Sequence, residues 1–563
     1  MIKMSSHTIG ILSVFAVCAC AYTPEELGQF LRVGLSNIQR ETIDGPTTIE
    51  GTVPTWLEGN FVRHACGSFG HTESRDKNLP NYIGHLFDCM EIGQKFRIQN
   101  GTVTFTNKWY DTVVNDIYNY YHRDMNLSSV FLVSTYSKTN PGQVDAWRAN
   151  FSSTSKVPEV PHVSWWQVGN QAIAMSETPI GVVVDPNSLQ QHGNAQYTDQ
   201  NMGFPDTPAH GFTNNPAHEH TEPDGTLWST VISTTWLGPT KLNLKRVVYK
   251  VGADRYRHVV GQYDYGTADL TLCHGRSRYP DPALRPGYLH SFCMTENYII
   301  LPEAAYMFDP CAYTHYDGHV PFFPQAFSFE PRAFSRLLVM RRSDGTFVGE
   351  AHLQPFFVTH QLGSYEVNGE ARLDMLMYDD ASVYDKITYV DALLGPGDYS
   401  TNVSRITVNL TDFRASISSL RRPDASPAFL EMSNINYAYN GRKYTYGYMV
   451  RNFDMREQNA IVKLNVDTGS EVEHVFPEGT YVQEPQFVPR PGAVFEDDGL
   501  LLTQGFDGVT KKAIMAILDA RTMTLLGKVT ARELALFGLH NRLFPLNVGS
   551  FIGTHAEIHV IIG

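Results

Sequence analysis

Polar residues recur at a long, even interval through the chain, and this spacing constrains the fold more than any other sequence feature. The pairs that show it are His218 and His290, His290 and His360, His360 and Glu431, and Glu484 and His555, whose members lie 72, 70, 71 and 71 residues apart. Strand-like sequence flanks each position. An interval near 70 residues is typical of a radial array of four-stranded sheets, because each unit returns its innermost strand to one axis. Polar groups with this spacing can converge on one point.

Turn dipeptides between apolar or alternating runs dominate the chain from about Gly51 onward. They are Asn100-Gly101, Asp224-Gly225, Asp317-Gly318, Asp344-Gly345, Asn368-Gly369, Asn440-Gly441, Asp498-Gly499 and Asp507-Gly508. Helical periodicity is confined to residues 25–39, residues 531–537 and short pieces in loops. The sequence therefore predicts an all-β chain with helical decoration.

Length and composition predict a single globular domain with a large core. The chain has 563 residues, of which 42% are hydrophobic and 12% aromatic, and no Pro/Gly/Ser linker or long charge block divides it. We expect one domain over residues 22–563. The formal charge is -14, and no Lys/Arg-rich block is present, so the chain is not predicted to bind nucleic acid or an anionic membrane face.

The first 21 residues have the pattern of a secretory signal. One early lysine, Lys3, precedes an apolar run over residues 9–20, and small residues stand at Ala19 and Ala21. The run is too short to span a bilayer. We expect cleavage after Ala21 and secretion. No other apolar run approaches about 20 residues, so no transmembrane segment is predicted.

Sequons and cysteines agree with an extracellular location. Asparagines in N-glycosylation sequons are Asn100, Asn126, Asn150, Asn402 and Asn409. Apart from Cys18 and Cys20 in the signal, the cysteines are Cys66, Cys89, Cys273, Cys293 and Cys311. An odd number in an oxidising compartment leaves at least one free thiol or an intermolecular bond.

The segment HEHTE, at residues 218–222, precedes an Asp-Gly turn and a strand-like run, where a metal site can form. It is not the helical zinc-protease motif, because that motif needs a histidine where this chain has Glu222. In an extended chain, His218 and His220 point to the same side. Taken alone, the segment also fits two surface or hydrogen-bonded histidines.

Several motifs together give the chain a family resemblance. AHEHTEPDG, LHSF, VTHQLGSYE and the near-terminal GTHAEI, with VPTWLEGNFVRHACGSFG near the start, occur in this order and spacing. The chain resembles the carotenoid cleavage oxygenase family, which includes the beta-carotene oxygenases and the retinal pigment epithelium retinoid isomerase. The resemblance implies a seven-bladed β-propeller with a helical and loop cap over one end of its axis.

The resemblance also implies a metal centre. The family binds one ferrous ion, Fe(2+), through four histidines, which match His218, His290, His360 and His555. Imidazole suits iron, and four ligands leave coordination positions open. The family's three glutamates, which hold the second ring nitrogens of the ligands, match Glu177, Glu431 and Glu484. His220 is the alternative ligand within its motif, and it is expected to support structure. We interpret His352, His474, His540 and His559 as structural or exposed.

Three departures from the family pattern introduce cysteines. Cys66 stands in RHACG where the family has RNGPG, and Cys89 ends HLFDC where the family has HWFDG. Because the chain is predicted to be secreted, we hypothesise a Cys66–Cys89 disulfide. Cys293 stands where the family commonly has glycine after HSF, beside the implied ligand His290. It could crowd the substrate tunnel or have no effect.

The implied reaction inserts dioxygen across a conjugated double bond of an apolar polyene and gives two carbonyl products. No catalytic residue beyond the metal centre and no organic cofactor is implied. Two alternatives stay open: a retinoid isomerohydrolase, and a non-catalytic extracellular polyene-binding or matrix protein. A glycan-handling propeller with paired carboxylates is a further alternative. Sequons at Asn126 and Asn150 bracket the region where the family carries its membrane-facing surface, so membrane contact stays undecided.

Overall fold

The structure is a computed structural model. It describes residues 23–38, 40–68, 89–110, 163–177, 181–199, 210–312, 326–383, 400–452 and 459–549. The predicted signal segment and the C-terminal residues 550–563 lie outside this part of the chain.

Helix α1 spans Pro24–Gly34 and begins one residue before the first predicted helix, residues 25–39. Proline begins the helix, and Thr23 forms a capping box with Glu26, so the first free N–H groups have partners. The helix ends five residues earlier than predicted. Gly34 packs against Phe506. A Cβ added at Gly34 would lie 2.1 Å from the nearest atom of the Phe506 ring.

The described strands, in chain order, are β1 (Thr42–Gly51), β2 (Gly59–Ser68), β3 (Met90–Gln99), β4 (Thr102–Trp109), β5 (Ser164–Val168), β6 (Gln171–Met175), β7 (Gly181–Asp185), β8 (Gln190–Asn194), β9 (His210–Thr213), β10 (His220–Thr221), β11 (Leu227–Trp236), β12 (Lys241–Val251), β13 (Arg257–Asp269), β14 (Cys293–Met294), β15 (Tyr298–Glu303), β16 (Tyr306–Phe308), β17 (Phe327–Phe329), β18 (Ser335–Arg341), β19 (Phe347–Leu353), β20 (Phe357–Val367), β21 (Glu370–Tyr378), β22 (Asn402–Asn409), β23 (Ala415–Ser419), β24 (Leu430–Ile435), β25 (Tyr446–Arg451), β26 (Ala460–Asn465), β27 (Glu471–Val475), β28 (Thr480–Val482), β29 (Gln486–Pro489), β30 (Gly499–Asp507), β31 (Lys512–Asp519), β32 (Leu525–Ala531) and β33 (Gly538–Phe544). The described residues also contain three short 3-10 helices, Leu270–Cys273, Pro282–Leu284 and Tyr437–Tyr439.

Most strands form small antiparallel sheets in a propeller-like arrangement. Four sheets have four strands, in the orders β5-β6-β7-β8, β14-β15-β18-β19, β20-β21-β22-β23 and β24-β25-β26-β27, and a fifth holds β9 to β13. Strands β16 and β17 form a separate pair. A ten-stranded sheet has the order β28-β30-β31-β32-β1-β4-β3-β2-β33, with β29 also on β30. The all-β prediction is confirmed.

Inner strands of neighbouring sheets, and of the two ends of the ten-stranded sheet, contact one another around an axis. Strand β14 contacts β20, β20 contacts β24, β24 contacts β29, β29 contacts β33, and β33 contacts β5. Side chains bridge these neighbours: Ser433 Oγ donates to the carbonyl of Gln361 (2.7 Å), and the backbone N of Phe487 donates to Asn434 Oδ1 (3.1 Å). The loops that enter these strands therefore lie close together.

Two predicted hairpin turns have a backbone conformation that asparagine and glycine adopt more easily than other residues. Asn100 and Gly101, between β3 and β4, have φ of 50° and 73°. Asn368 and Gly369, between β20 and β21, have φ of 52° and 78°. Positive φ at both central residues matches the right-handed twist of a hairpin, and asparagine and glycine tolerate it best.

The core lies between neighbouring sheets. In one cluster, Ile300 and Val339 of β15 and β18 pack with Leu373 and Met375 of β21, and all four are fully buried. Each such side chain contributes about 1.5–3 kcal/mol when it leaves water. Cys293 belongs to this cluster, so it lies between two sheets and not in the histidine centre described below.

The helix predicted over residues 531–537 is wrong. Strand β32 extends to Ala531, and the segment after it is irregular. Its backbone groups bond to distant segments: the N–H of Phe537 donates to the carbonyl of Gly34 (2.6 Å), and its carbonyl accepts from the N–H of Cys66 (3.1 Å). Tertiary hydrogen bonds replace the helical ones.

Two disulfides cross-link the described residues. Cys66 pairs with Cys89, and Cys273 pairs with Cys311; in both, the Cα atoms are 5.3 Å apart. Cys293 is the free cysteine of the described part and is buried. Among the residues that the structure describes, no helix has the length and apolar character needed to cross a bilayer.

Candidate metal centre

Four histidines from four different sheets meet on the axis. His360 lies in β20 and His540 in β33, while His218 and His290 lie just before β10 and β14. Their nearest nitrogens all lie within 4.8 Å of one another. His290, His360 and His540 are more than nine-tenths buried.

The geometry fits a metal ion. Nε2 of His360 lies 3.1 Å from Nε2 of both His290 and His540. Two nitrogens bound at right angles, each about 2.1 Å from one ion, lie roughly 3.0 Å apart. Nε2 of His218 is buried and has no hydrogen-bond partner, which is costly unless something binds it.

Each of three histidines has a glutamate on its other nitrogen. Nδ1 lies 2.6 Å from the carboxylate in the His290–Glu177 and His360–Glu431 pairs, and 2.9 Å in the His540–Glu484 pair. A carboxylate at Nδ1 holds the proton there and leaves the Nε2 lone pair facing the centre. The chain thus orients three rings for metal binding.

Further donors hold the glutamates in place. The Tyr288 hydroxyl donates to Glu177 (2.5 Å), Thr359 Oγ1 donates to Glu431 (2.6 Å), and the backbone N of Asn541 donates to Glu484 (2.7 Å). The Tyr378 hydroxyl also donates to Glu431. These contacts restrict how far a ring can rotate.

The protonation states suit a metal site. Burial lowers the pKa of His360 to about 4 despite its carboxylate partner. Burial, and then the neighbouring histidines, hold the pKa of His218 well below its usual value. Burial alone would raise the pKa of Glu431, but His360 and the hydroxyl donors outweigh it and bring this pKa to about 2. Neutral imidazoles and ionised carboxylates are the forms that metal binding requires.

The structure brings together His218, His290 and His360 from the sequence-predicted set, but the fourth ring in the cluster is His540. The interpretation of His540 as structural or exposed is wrong, because it is buried and faces the other three. His555 lies outside the described residues. A signal for His540 was present: Glu431 and Glu484 are only 53 residues apart, so the repeat had already shortened before the last unit.

The other histidines lie away from the cluster. His220 has both nitrogens occupied: Nδ1 lies 2.8 Å from Asn440 Oδ1, and Nε2 lies 2.8 Å from the carbonyl of Phe292. It therefore supports structure, as expected. His352 is exposed and paired with Glu350. His474 is half-buried on β27, and His559 lies outside the described residues.

The surroundings of the centre differ on its two sides. Aromatic residues precede the histidines along the chain: Tyr288 and Phe357 stack with ring centroids 5.9 Å apart. Polar residues follow them, and a cavity of about 340 Å³ reaches His218, His360 and His540 from that side. Its lining includes Gln361 and an ion pair of Arg542 and Glu219, whose atoms are 2.8 Å apart.

The predicted sequons lie partly within the described residues. Asn100, Asn402 and Asn409 are exposed, and Asn409 Oδ1 accepts hydrogen bonds from the backbone of the following turn. Asn126 and Asn150 lie outside the described residues.

Comparison with known proteins gives one family. The model of the family described as retinal pigment epithelial membrane protein matches residues 36–545. Among curated proteins, beta,beta-carotene 15,15'-dioxygenase of Gallus gallus is 26% identical over 541 residues, covering 89% of this chain and 95% of its own. Carotenoid isomerooxygenase of Galleria mellonella is 24% identical over 520 residues, covering 87% of this chain and 91% of its own.

Solved structures share the fold. A variant of the Synechocystis apocarotenoid oxygenase has a TM-score of 0.70 at 17% identity, covering 93% of this chain and 100% of its own. A cobalt-substituted form of the Synechocystis enzyme has a TM-score of 0.66 at 18% identity, covering 93% of this chain and 100% of its own.

Proposed function

The chain belongs to the family of retinal pigment epithelial membrane protein and the carotenoid oxygenases, and from this membership we propose that it is an iron-dependent dioxygenase. Its reaction is cleavage of a conjugated double bond of a carotenoid or apocarotenoid, with dioxygen, into two carbonyl products. The observation that carries the proposal is the cluster of four imidazoles, three of them fixed at Nδ1 by glutamates. The names of the relatives support the choice of reaction.

Ferrous iron is the proposed metal, with His218, His290, His360 and His540 as ligands. Imidazole suits iron, and a centre of four imidazoles leaves positions for dioxygen or substrate. When bound, the iron supplies the reaction with dioxygen that no amino-acid side chain can carry out.

The residues around the centre hold the histidine rings in the orientation that metal binding needs. Glu177, Glu431 and Glu484 accept the N–H at Nδ1 of their histidines, so Nε2 of each ring faces the centre and the ring is held in one orientation. Tyr288 and Thr359 hold two of these carboxylates. Burial of His290, His360 and His540 limits the access of water from the aromatic side, where dioxygen and an apolar substrate are proposed to meet the centre.

The polyene is proposed to approach from the aromatic side. Tyr288, Phe357 and their neighbours Tyr306 and Phe327 form a buried aromatic cluster there, and aromatic side chains commonly line sites for apolar ligands. The cavity on the opposite side suits a long hydrocarbon poorly, because polar groups such as Gln361 and the Arg542–Glu219 pair line it. That side is suited to water and other small polar molecules.

Seven blades in a single domain over residues 22–563 are part of the proposal. The ten-stranded sheet supplies two of them, one centred on β30 to β32 and one on β2 to β4, beside the five separate sheets. The contacts from β14 through β20, β24, β29 and β33 to β5 support a closed ring of inner strands.

A secreted, glycosylated protein is the proposed mature form, cleaved after Ala21. The apolar segment over residues 9–20 supports export. Two disulfides support an oxidising compartment, because such bonds are rare in the cytosol. The exposed sequons at Asn100, Asn402 and Asn409 are available to glycans.

The decisive experiment is incubation of purified, iron-loaded protein with beta-carotene and with an apocarotenoid, under air and under argon. We expect aldehyde or ketone products that require air and bound iron, with about one iron per chain. Formation of retinol isomers from a retinyl ester under argon would instead indicate an isomerohydrolase. Tight polyene binding without iron after ferrous reconstitution would indicate a non-catalytic binding protein.

A further inference from the structure

Arg63 of β2 is fully buried, and among the residues that the structure describes its guanidinium meets only neutral acceptors. It donates to Gln94 Oε1 (2.9 Å), to the carbonyls of Leu536 (2.8 Å) and Gln504 (3.1 Å), and to Gln483 Oε1. A buried ionised group with no opposite charge is strongly unfavourable. The protein must therefore supply a counter-charge by another route.

Other buried arginines of the described chain show the usual solution. Each of those that are at least nine-tenths buried forms an ion pair with a carboxylate: Arg246 and Arg336 with Glu303, Arg257 with Asp199, and Arg285 with Glu330. Within the residues that the structure describes, Arg63 is the exception to this pattern.

The position of Arg63 points to the histidine centre. Its partner Gln483 precedes Glu484 in the chain, and Gln483 Oε1 also accepts from the backbone N of Gly538, two residues before His540. Across the sheet, Arg63 lies opposite Asn541, the residue after His540. Burial lowers the pKa of Arg63 to about 9, and the charge of Glu484 opposes this shift. Arg63 thus stands behind the Glu484–His540 pair.

The net charge of the metal-loaded centre is balanced when the guanidinium of Arg63 is included. Metal binding requires neutral imidazoles and ionised carboxylates, so the four histidines and three glutamates would contribute three negative charges, and a divalent ion would reduce the total to one. The guanidinium of Arg63 neutralises the remainder. A ferric ion would bring one more positive charge into the same field, which a fixed cation nearby opposes.

We propose that Arg63 is the buried counter-charge of the metal centre and that it favours bound iron in the ferrous state. The inference rests on the proposed iron site. Arg63 is a positioning residue, because it acts through Gln483, Glu484 and the electric field and touches neither metal nor substrate. In an oxidising compartment, where ferrous iron is readily lost, such a charge has a direct use.

The test compares Arg63→Met, which removes the charge, with Arg63→Lys, which keeps it. Iron-loaded proteins are titrated potentiometrically, and cobalt(II) affinity is measured separately. We expect Arg63→Met to shift the ferric-to-ferrous preference roughly tenfold toward ferric, or about 59 mV for a one-electron couple, without weaker cobalt(II) binding. Arg63→Lys should stay within about threefold of the unsubstituted protein by the same conversion.

Each outcome of this test either supports or overturns the proposal. An unchanged potential in folded Arg63→Met, or cobalt(II) binding weakened equally in both variants, indicates a structural role and overturns the proposal. If Arg63→Met does not fold, the double variant Arg63→Met/Glu484→Gln restores the charge balance and should fold; its failure to fold also overturns the proposal. Unsubstituted protein that binds neither iron nor cobalt contradicts the proposed function itself.

Discussion

The second nitrogen of a metal-binding histidine is usually held by a hydrogen-bond acceptor, and a carboxylate oxygen of Glu431 lies 2.6 Å from Nδ1 of His360. Replacing Glu431 by glutamine keeps the size of the side chain but removes the charge. We expect metal affinity to fall about 10- to 100-fold. Cobalt(II) titration of purified protein measures this. Glu473→Gln, a control on β27, should bind cobalt(II) normally, and equal losses in both variants would contradict the assigned role.

His540 and His555 offer a direct comparison at the fourth ligand position. His540 lies in the cluster, with Glu484 at 2.9 Å from Nδ1. We expect His540→Ala to bind cobalt(II) at least tenfold more weakly, because one of four ligands is lost. His555→Ala should retain the affinity of the unsubstituted protein. The opposite result would restore the ligand set first predicted from the sequence.

Acid should destabilise the metal-free protein through its buried imidazoles. The pKa of His360 is about 4 when folded, against an ordinary value of 6.5, so the unfolded chain binds more protons between these values. The stability that the folded protein gains from keeping His360 neutral is therefore fully present above pH 6.5. It is lost as the pH falls toward 4, because the unfolded chain then binds the proton more tightly. Urea unfolding with a chelator at pH 7.5 and 5.5 measures the loss. His360→Gln should show a smaller loss, and an identical one would exclude His360 as its cause.

At the scale of single elements, β33 carries His540, and its first residue must be small. A Cβ added to Gly538 would lie 2.0 Å from the carbonyl oxygen of His64 on β2. We expect Gly538→Ala to lower the free energy of unfolding by about 1–3 kcal/mol and to weaken cobalt(II) binding. Chemical denaturation and metal titration measure the two effects.

Gly252→Ala is the matched control for that substitution. An added Cβ there meets nothing closer than Asp254 Oδ1 at 3.5 Å, so stability should change by less than about 0.5 kcal/mol. Normal metal binding by Gly538→Ala would mean that β33 tolerates displacement and that His540 does not depend on its register.

Local sequence predicted the elements whose causes are local. Asn100-Gly101 and Asn368-Gly369 form hairpin turns, because positive φ is a property of the residues themselves. The helix predicted over residues 531–537 does not form. The backbone hydrogen bonds of Phe537 go instead to Gly34 and Cys66, which lie roughly 500 residues away in sequence. His540 was missed for a related reason: an even repeat was extended into the shorter final unit.

At the scale of the whole molecule, we expect the disulfide bonds found by chemical analysis to match the cysteine pairs in the structure. Cys66–Cys89 and Cys273–Cys311 are the disulfides, and Cys293 is buried and free. We expect non-reducing peptide mapping of protein expressed through a secretory pathway to recover both links. Cys293 should react with an alkylating reagent only after denaturation. Rapid alkylation of the native protein at Cys293, or a different pairing, would contradict this arrangement.

Sheet closure joins distant parts of the chain, since β33 pairs with β2 and places His540 beside the other three histidines. A nascent chain still on the ribosome therefore has no complete pocket until residues near 540 have emerged and found β2. A metal held by these four rings would therefore be acquired after translation, in whichever compartment holds the finished molecule. The supply of that metal in the same compartment would then limit how much of the protein becomes loaded.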